Sequence, residues 1–278
     1  AEKLKICEVE VGLGNFKQIV CGAPNVEAGM RVPCAVVGAR LPGLEIFRAR
    51  LRGVDSEGML CSASELGLSS DHSGLLALPA DAPVGADLRD FLDLDDTVLT
   101  LKVTPNRGDC LSMRGIARDL AAVSGAPLIF TDPEKVSPNS DVSRRVAIEE
   151  KTACGAYFGR VISGIDLSAK VPAWMRDRLE RAGLRSVSPL VDITNYVMLE
   201  RGQPMHAFDN DKIEGDVCVR FAQSGEALVL LNGTHIALTR DHLVIADRRG
   251  PLALAGVMGG QSSMCTGGTR SVYFEAAW

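Results

Sequence analysis

The sequence predicts two domains, a small N-terminal β-barrel followed by an α+β domain, and three observations predict it. The chain has 278 residues, more than one typical domain of about 100–200. Its first third is a run of short strand patterns broken by Gly, Pro and Asn. A stretch over 131–143 has linker composition, and beyond it helix and strand patterns mix. Hydrophobic residues supply 46% and charged residues 23%, a globular balance that implies a buried core. Aromatic residues are only 5%, so aliphatic and small side chains must do most of the packing.

In chain order, strands are expected over 4–11, 18–21, 32–37 and 45–51. Within the last, Phe47, Ala49 and Leu51 alternate with Arg48, Arg50 and Arg52, which on a strand puts three guanidiniums on one face. A solvated outer face and an RNA-facing stripe both fit. Ser62 and Glu65 have capping-box spacing. A strand is expected over 98–103, then a helix over about 110–124 with Asp109 as N-cap and Gly125 past its end. The domains are placed at 1–92, a connecting strand and helix at 93–130, a linker at 131–145, and an α+β domain at 146–278. In that last part strands are expected to end near 148 and to cover 157–162, 217–221, 228–231, 243–246 and 271–275. A helix over about 172–182 is framed by Pro172 and Gly183.

No apolar run reaches the about 18–20 residues that cross a bilayer, and the first residues form no signal peptide. A soluble, cytoplasmic protein is expected. The eight cysteines are scattered without a CxxC pair, which suits buried free thiols better than a metal framework. Net charge is −5, so any contact with nucleic acid must be local. GxSxG, HExxH and GxxxxGK[ST] are all absent, which argues against covalent, zinc and ATP chemistry in this stretch.

Three groups of residues carry a family resemblance. The first is Gln18-Ile-Val-Cys-Gly-Ala-Pro-Asn-Val26 together with Leu51-Arg-Gly-Val-Asp-Ser-Glu-Gly-Met-Leu-Cys-Ser62. The second is Thr104-Pro-Asn-Arg-Gly-Asp-Cys-Leu111. The third is Val191-Asp-Ile-Thr-Asn-Tyr-Val-Met-Leu-Glu-Arg-Gly-Gln-Pro-Met-His-Ala-Phe-Asp209, continued by Leu254-Ala-Gly-Val-Met-Gly-Gly260. In this order they resemble the β subunit of bacterial phenylalanyl-tRNA synthetase. The resemblance implies an OB-like β-barrel that binds tRNA, followed by an α+β domain that hydrolyses mischarged Tyr-tRNA(Phe). It also implies an α subunit as partner in a heterotetramer, with ATP and Mg2+ used by the whole enzyme and no cofactor in this part. A stretch before Ala1 and more chain after Trp278 are expected on the same ground.

The chemistry follows from a limit on selectivity. An apolar pocket made for phenylalanine rejects tyrosine poorly, since the analogue merely adds a hydroxyl. A second site must therefore recognise that hydroxyl positively. Glu275, at the end of the apolar strand pattern Ser271-Val-Tyr-Phe-Glu275, matches the family residue that the resemblance implies contacts it; a surface glutamate is the alternative. His206 is expected to orient water or the ester, or else to be structural. Thr194 and Asn195 are candidates for holding the ester carbonyl or terminal ribose, or for capping the chain. Ala255 and Gly256 admit a ligand close to the backbone, whereas Gly259 and Gly260 read as turn packing. Arg185 closes a basic segment that suits acceptor-end phosphates, though a solvated helix face accounts for most of its charges. A tRNA-binding or scaffold module without hydrolysis is the competing reading, and a free-standing deacylase a third.

Overall fold

Alternating side chains in Lys5–Glu10 (β1) and Phe16–Cys21 (β2) pair the two strands antiparallel, from Lys5 opposite Cys21 to Glu10 opposite Phe16, in the computed structural model, which describes residues 4–278. The chain forms two compact units, residues 1–97 and 98–278. Unit 1 continues through Cys34–Val36 (β3), Arg40–Leu41 (β4), Leu44–Glu45 (β5), Ala49–Leu51 (β6), Val54–Ser56 (β7) and Gly58–Leu60 (β8). β3 pairs with β8, β4 with β5 and β6 with β7, all antiparallel. Ile19, Cys21, Val26, Leu60 and Leu75 form its core, beside a smaller cluster of Ala35, Ile46 and Cys61. Asn25 of the first motif is structural: its amide oxygen accepts from the Leu75 amide at 2.8 Å and its nitrogen donates to the Leu75 carbonyl at 3.0 Å.

The expected strand over 45–51 is two pieces, and the last of its three arginines falls in a turn outside the strand. Arg48 precedes β6 and pairs with Glu57. Arg50 lies in β6, donates to the Gly53 carbonyl at 3.2 Å and stands 3.8 Å from Asp55. Arg52 sits in the turn, where it and Gly53 have φ of 49° and 86°, the positive pair that closes a two-residue hairpin. The turn ends the alternation. Ser62 and Glu65 do make a reciprocal capping box, with bonds of 2.7 Å and 3.3 Å, though no helix follows. The unit ends in a short helix, Leu88–Phe91 (α1).

In unit 2, residues 98–103 form no strand: Val98, Leu99 and Leu101 are more than half exposed, and no strand among the described residues pairs with them. The next helix is Met113–Ser124 (α2), capped by Ser112, whose hydroxyl accepts from the Gly115 amide at 3.1 Å. Asp109 is not the cap because Arg107 holds its carboxylate at 3.0 Å, and a short turn over Gly108–Cys110 intervenes. Gly125 ends α2 with φ of 72°. Residues 131–143 are exposed coil. Just before them, Phe130 is covered by the guanidiniums of Arg114 and Arg201, 4.7 Å and 4.6 Å from its ring centre.

The rest of unit 2 is Val146–Ile148 (β9), Tyr157–Ser163 (β10), Ala173–Arg181 (α3), Pro189–Arg201 (α4), His206–Asp209 (β11), Val217–Phe221 (β12), Ala227–Val229 (β13), His235–Ala237 (β14), Leu243–Ala246 (β15), Pro251–Leu254 (β16), Met258–Gly259 (β17) and Ser271–Ala277 (β18). One sheet runs β10-β18-β11, a second β17-β16-β15-β12-β9, and β13 and β14 form a hairpin. The main core lies between the two sheets. Val161, Phe208 and Tyr273 come from the first, and Val217, Ile245, Leu252 and Ala253 from the second.

Helix α4 starts at Ser188 and Pro189 and ends at Gly202, with φ of 86°, the cap residues its sequence supplies. Asp192 in its first turn is fully buried. Its carboxylate accepts from the Ser186 hydroxyl at 2.5 Å and the Val187 amide at 2.9 Å, tying the preceding loop to the helix start. Asp192→Ala should therefore destabilise unit 2 by about 1–3 kcal/mol, the cost of leaving buried donors without their acceptor. Urea unfolding followed by tryptophan fluorescence reads this, since Trp174 and Trp278 both lie in unit 2. An unchanged midpoint would remove Asp192 from this role.

Candidate functional site

Strand β18 is the middle strand of its sheet, so both its edges are paired and its side chains have only two directions to take. Tyr273 and Glu275 share one face. Opposite them, β10 presents Val161 across from Tyr273, Gly159 across from Glu275 and Tyr157 across from Ala277. On the other edge, β11 presents Phe208 across from Tyr273 and His206 across from Glu275. Period-2 geometry therefore gathers Tyr157, His206, Tyr273 and Glu275 on the face that packs against the core.

Two glycines make room for this group. At Gly159 a Cβ would fall 1.9 Å from the Tyr273 hydroxyl, and at Gly259 one would fall 2.4 Å from Nε2 of His206. Any side chain at either position would occupy the space that the phenol or the imidazole now takes. Gly259 thus packs against His206 across the two sheets and is not simply a turn residue. Phe208 meets the imidazole edge-on, with ring centres 4.5 Å apart, and Tyr273 lies 6.4 Å beyond Phe208. The surroundings are apolar.

Against that background four polar atoms stand out: the hydroxyls of Tyr157 and Tyr273, Nε2 of His206 and Oε2 of Glu275 are shut off from solvent without a hydrogen-bond partner among the described residues. Such a group costs about 1–3 kcal/mol each. Burial pushes the Glu275 carboxyl up to about 7, against a smaller opposite effect of the Tyr157 hydroxyl. Burial also raises both phenols, Tyr157 further through Glu275 and Tyr273. These three groups thus lie close enough to govern one another's protonation without completing a bond of good geometry. The His206 imidazole is held below its ordinary value by burial, so it is neutral at pH 7.

The remaining candidates lie around this centre at different depths. Ala255 packs partly against the core cluster that holds Phe208 and Tyr273. Gly256 is exposed in the turn between β16 and β17, with φ of 70° and open space above its Cα. Thr194 and Asn195 lie within α4, which packs on β11, and not at the end of an apolar run. The Thr194 hydroxyl donates to the Val191 carbonyl at 2.9 Å, leaving its lone pairs available. Arg185 is exposed in the coil between α3 and α4. Sequence reasoning did not single out Tyr157 or give Gly259 a part in the site; the pairing register, which no local signal announces, brings both in.

A concave surface of about 560 Å³ elsewhere in this unit, lined by Lys212, Leu228, Asp247, Arg249, Pro251 and Gln261 among others, contains none of the candidates. Among the described residues no group of three His, Cys, Asp or Glu side chains is placed to hold a metal ion, and no helix is long and apolar enough to cross a membrane.

Residues 153–278 match the family model of the B3/4 domain, and residues 1–87 match the one called "Putative tRNA binding domain". Over its whole length the chain is 54% identical to the phenylalanine–tRNA ligase β subunit of Aromatoleum aromaticum and covers 35% of that protein. With the corresponding protein of Methylococcus capsulatus it shares 55% identity, again over 35% of the relative. The chain thus spans about a third of the length of the curated relatives it matches. Among solved structures, an N-terminal fragment of the phenylalanyl-tRNA synthetase β subunit from Pyrococcus horikoshii aligns with a TM-score of 0.39 at 16% identity, covering 62% of this chain and 52% of that one. That likeness is too loose to support an argument.

Gly259→Ala should displace the imidazole, since the added Cβ and Nε2 cannot both stay 2.4 Å apart. The expected result is a shift of the His206 ring signals in an imidazole-edited nitrogen NMR spectrum, with far-ultraviolet circular dichroism unchanged. Ring signals identical to the parent's would show that the two sheets do not meet as described.

Proposed function

Because the chain belongs to the family of phenylalanine–tRNA ligase β subunits, we propose that it supplies tRNA binding and hydrolytic proofreading of mischarged Tyr-tRNA(Phe). In this reading residues 1–92 are an OB-type tRNA-binding domain, 93–130 a connecting segment, 131–145 a linker and 146–278 the editing domain. The whole enzyme would act in the cytoplasm as a heterotetramer with an α subunit, its ATP and Mg2+ serving aminoacylation outside this stretch.

One observation carries the editing reading. A buried carboxylate without a partner, Glu275, stands directly across from a buried neutral imidazole, His206, in apolar surroundings. A tyrosyl side chain entering there offers its phenolic proton to Glu275 and relieves the cost of the bare oxygen. A phenylalanyl side chain leaves it bare. The site therefore selects the analogue that an apolar synthetic site cannot exclude.

The protein's part in hydrolysis is orientation. Neutral His206 has a lone pair or an N–H to direct a water or the ester oxygen. The Thr194 hydroxyl oxygen and the Asn195 amide are candidates for the ester carbonyl and the terminal ribose, with Ala255 and Gly256 admitting the ligand against the backbone. Arg185 is assigned to acceptor-end phosphates, and Arg48, Arg50 and Arg52 to phosphates of the tRNA body. The attacking water is aided by the tRNA's own terminal hydroxyl, so positioning supplies most of the effect.

Glu275→Gln should reduce the preference for tyrosyl over phenylalanyl esters by about ten- to a hundredfold, the equivalent of 1–3 kcal/mol. The measurement is deacylation of Tyr-tRNA(Phe) and Phe-tRNA(Phe) by the chain and its variant. Unaltered kinetics and specificity in the variant would overturn the assignment of Glu275. No deacylation by the parent chain would favour the reading as a binding or scaffold module.

A further inference from the structure

We propose that Tyr157 is a positioning residue for this reaction: when a tyrosyl group is bound, its hydroxyl donates to the Glu275 carboxylate and leaves the remaining lone pairs directed at the phenol of that group. The inference rests on the editing reading of the same pocket and adds a residue that neither the family motifs nor the sequence patterns single out.

The geometry begins with an empty position. Gly159 is the residue opposite Glu275 on β10, and it sends no side chain over the carboxylate. The Tyr273 hydroxyl takes that space instead. Tyr157, opposite Ala277, is the diagonal neighbour of Glu275 on the same face, and a tyrosine is long enough to reach across such a diagonal. Two phenols and one carboxyl therefore converge where solvent does not enter.

Counting protons then decides the roles. Each phenol carries one proton to donate, and an ionised carboxylate carries none while accepting several bonds. The Tyr157 proton can serve either Glu275 or Tyr273 but not both. The charge-assisted bond to the carboxylate is the stronger choice. Glu275 then keeps acceptor capacity for a ligand hydroxyl.

Without the Tyr157 donor, burial acts on Glu275 unopposed, and the carboxyl holds its proton to higher pH. It then meets the ligand as a neutral acid, whose bond to a phenol is roughly half as strong as a charge-assisted one. The other titratable groups facing Glu275 are Tyr273 on its own strand and His206 on β11, with Arg144 acting on Tyr273 from the segment before β9. Tyr273 titrates far above neutrality, and His206 titrates below its ordinary value. A limb near pH 7 therefore belongs to Glu275, which burial pushes up to about 7. The sign is set by its raised position: the acceptor form is lost as pH falls through that value.

The test is the pH dependence of Tyr-tRNA(Phe) deacylation by the full chain, compared with Tyr157→Phe and Glu275→Gln. Tyr157→Phe should move the acid limb up by half a pH unit or more, a loss of about threefold in rate below the midpoint, and should lower tyrosyl preference while Phe-tRNA(Phe) turnover is unchanged. Glu275→Gln should abolish the limb near neutrality. As a second variant that preserves shape, 3-fluorotyrosine at position 157, a more acidic donor, should move the limb down. If Glu275→Gln loses selectivity while both changes at 157 leave limb and preference as in the parent, Tyr157 has no such role and the editing reading stands. If Glu275→Gln keeps the parent's selectivity, the editing reading fails, and a positioning role for Tyr157 fails with it.

Discussion

The second unit is organised around a buried carboxyl group, Glu275, one of whose oxygens has no hydrogen-bond partner among the described residues. Glu275 sits on the middle strand of a three-stranded sheet, so neither edge of β18 is free and its side chain must point into the core or away from it. It points inward. An ionisable group in that position would ordinarily carry a matching partner, because a bare buried polar atom costs stability that folding has little margin to spare. Natural structures contain few such atoms, and those that persist call for a reason. Here the two glycines at 159 and 259 leave room for the Tyr273 phenol and the His206 imidazole, with which any larger residue would collide. On the proposed reading, the arrangement trades stability for a buried group that can accept a hydroxyl.

Local electrostatics reconcile the acidic chain with the RNA partner proposed for it. Arg48 and Arg50 have carboxylates beside them, Glu57 and Asp55, so they do not add up to a bare basic stripe. Exposed ion pairs of this kind are worth only about 0–1 kcal/mol. A phosphate can therefore replace a carboxylate partner at little cost, and the net charge of −5 says less about binding than the few residues in reach. Arg185 is exposed in the coil between α3 and α4.

Legibility followed the physical origin of each element. β12 and β15 were readable to the residue because their apolar runs are short and bounded by turns, and the end of β18 was extended by two residues through pairing with β10. α4 went unread as a helix although Ser188, Pro189 and Gly202 frame it, because apolar side chains lie all round it and no stripe marks its period. The cap of α2 was misplaced by three residues since Arg107 claims the carboxylate of Asp109, an interaction that involves Asp119 as well, at 2.8 Å, from inside the helix. Residues 98–103 have strand composition and no strand to pair with.

From its residues alone the chain declares its caps, its turns, its apolar periods and the order of motifs that ties it to a family, for these depend on neighbours a few positions apart. Through that resemblance it also points to Glu275 and His206 as candidate site residues. That they face each other, that Tyr157 lies diagonal to Glu275 on the same face and that Gly159 and Gly259 stand aside were decided by the register of β10, β18 and β11 and by the packing of β17 against them. Register is a property of strands far apart in the chain, and a slip of one residue would send every one of these side chains to the opposite face. Only the closed tertiary structure chooses among such alignments, because only there is the apolar face buried.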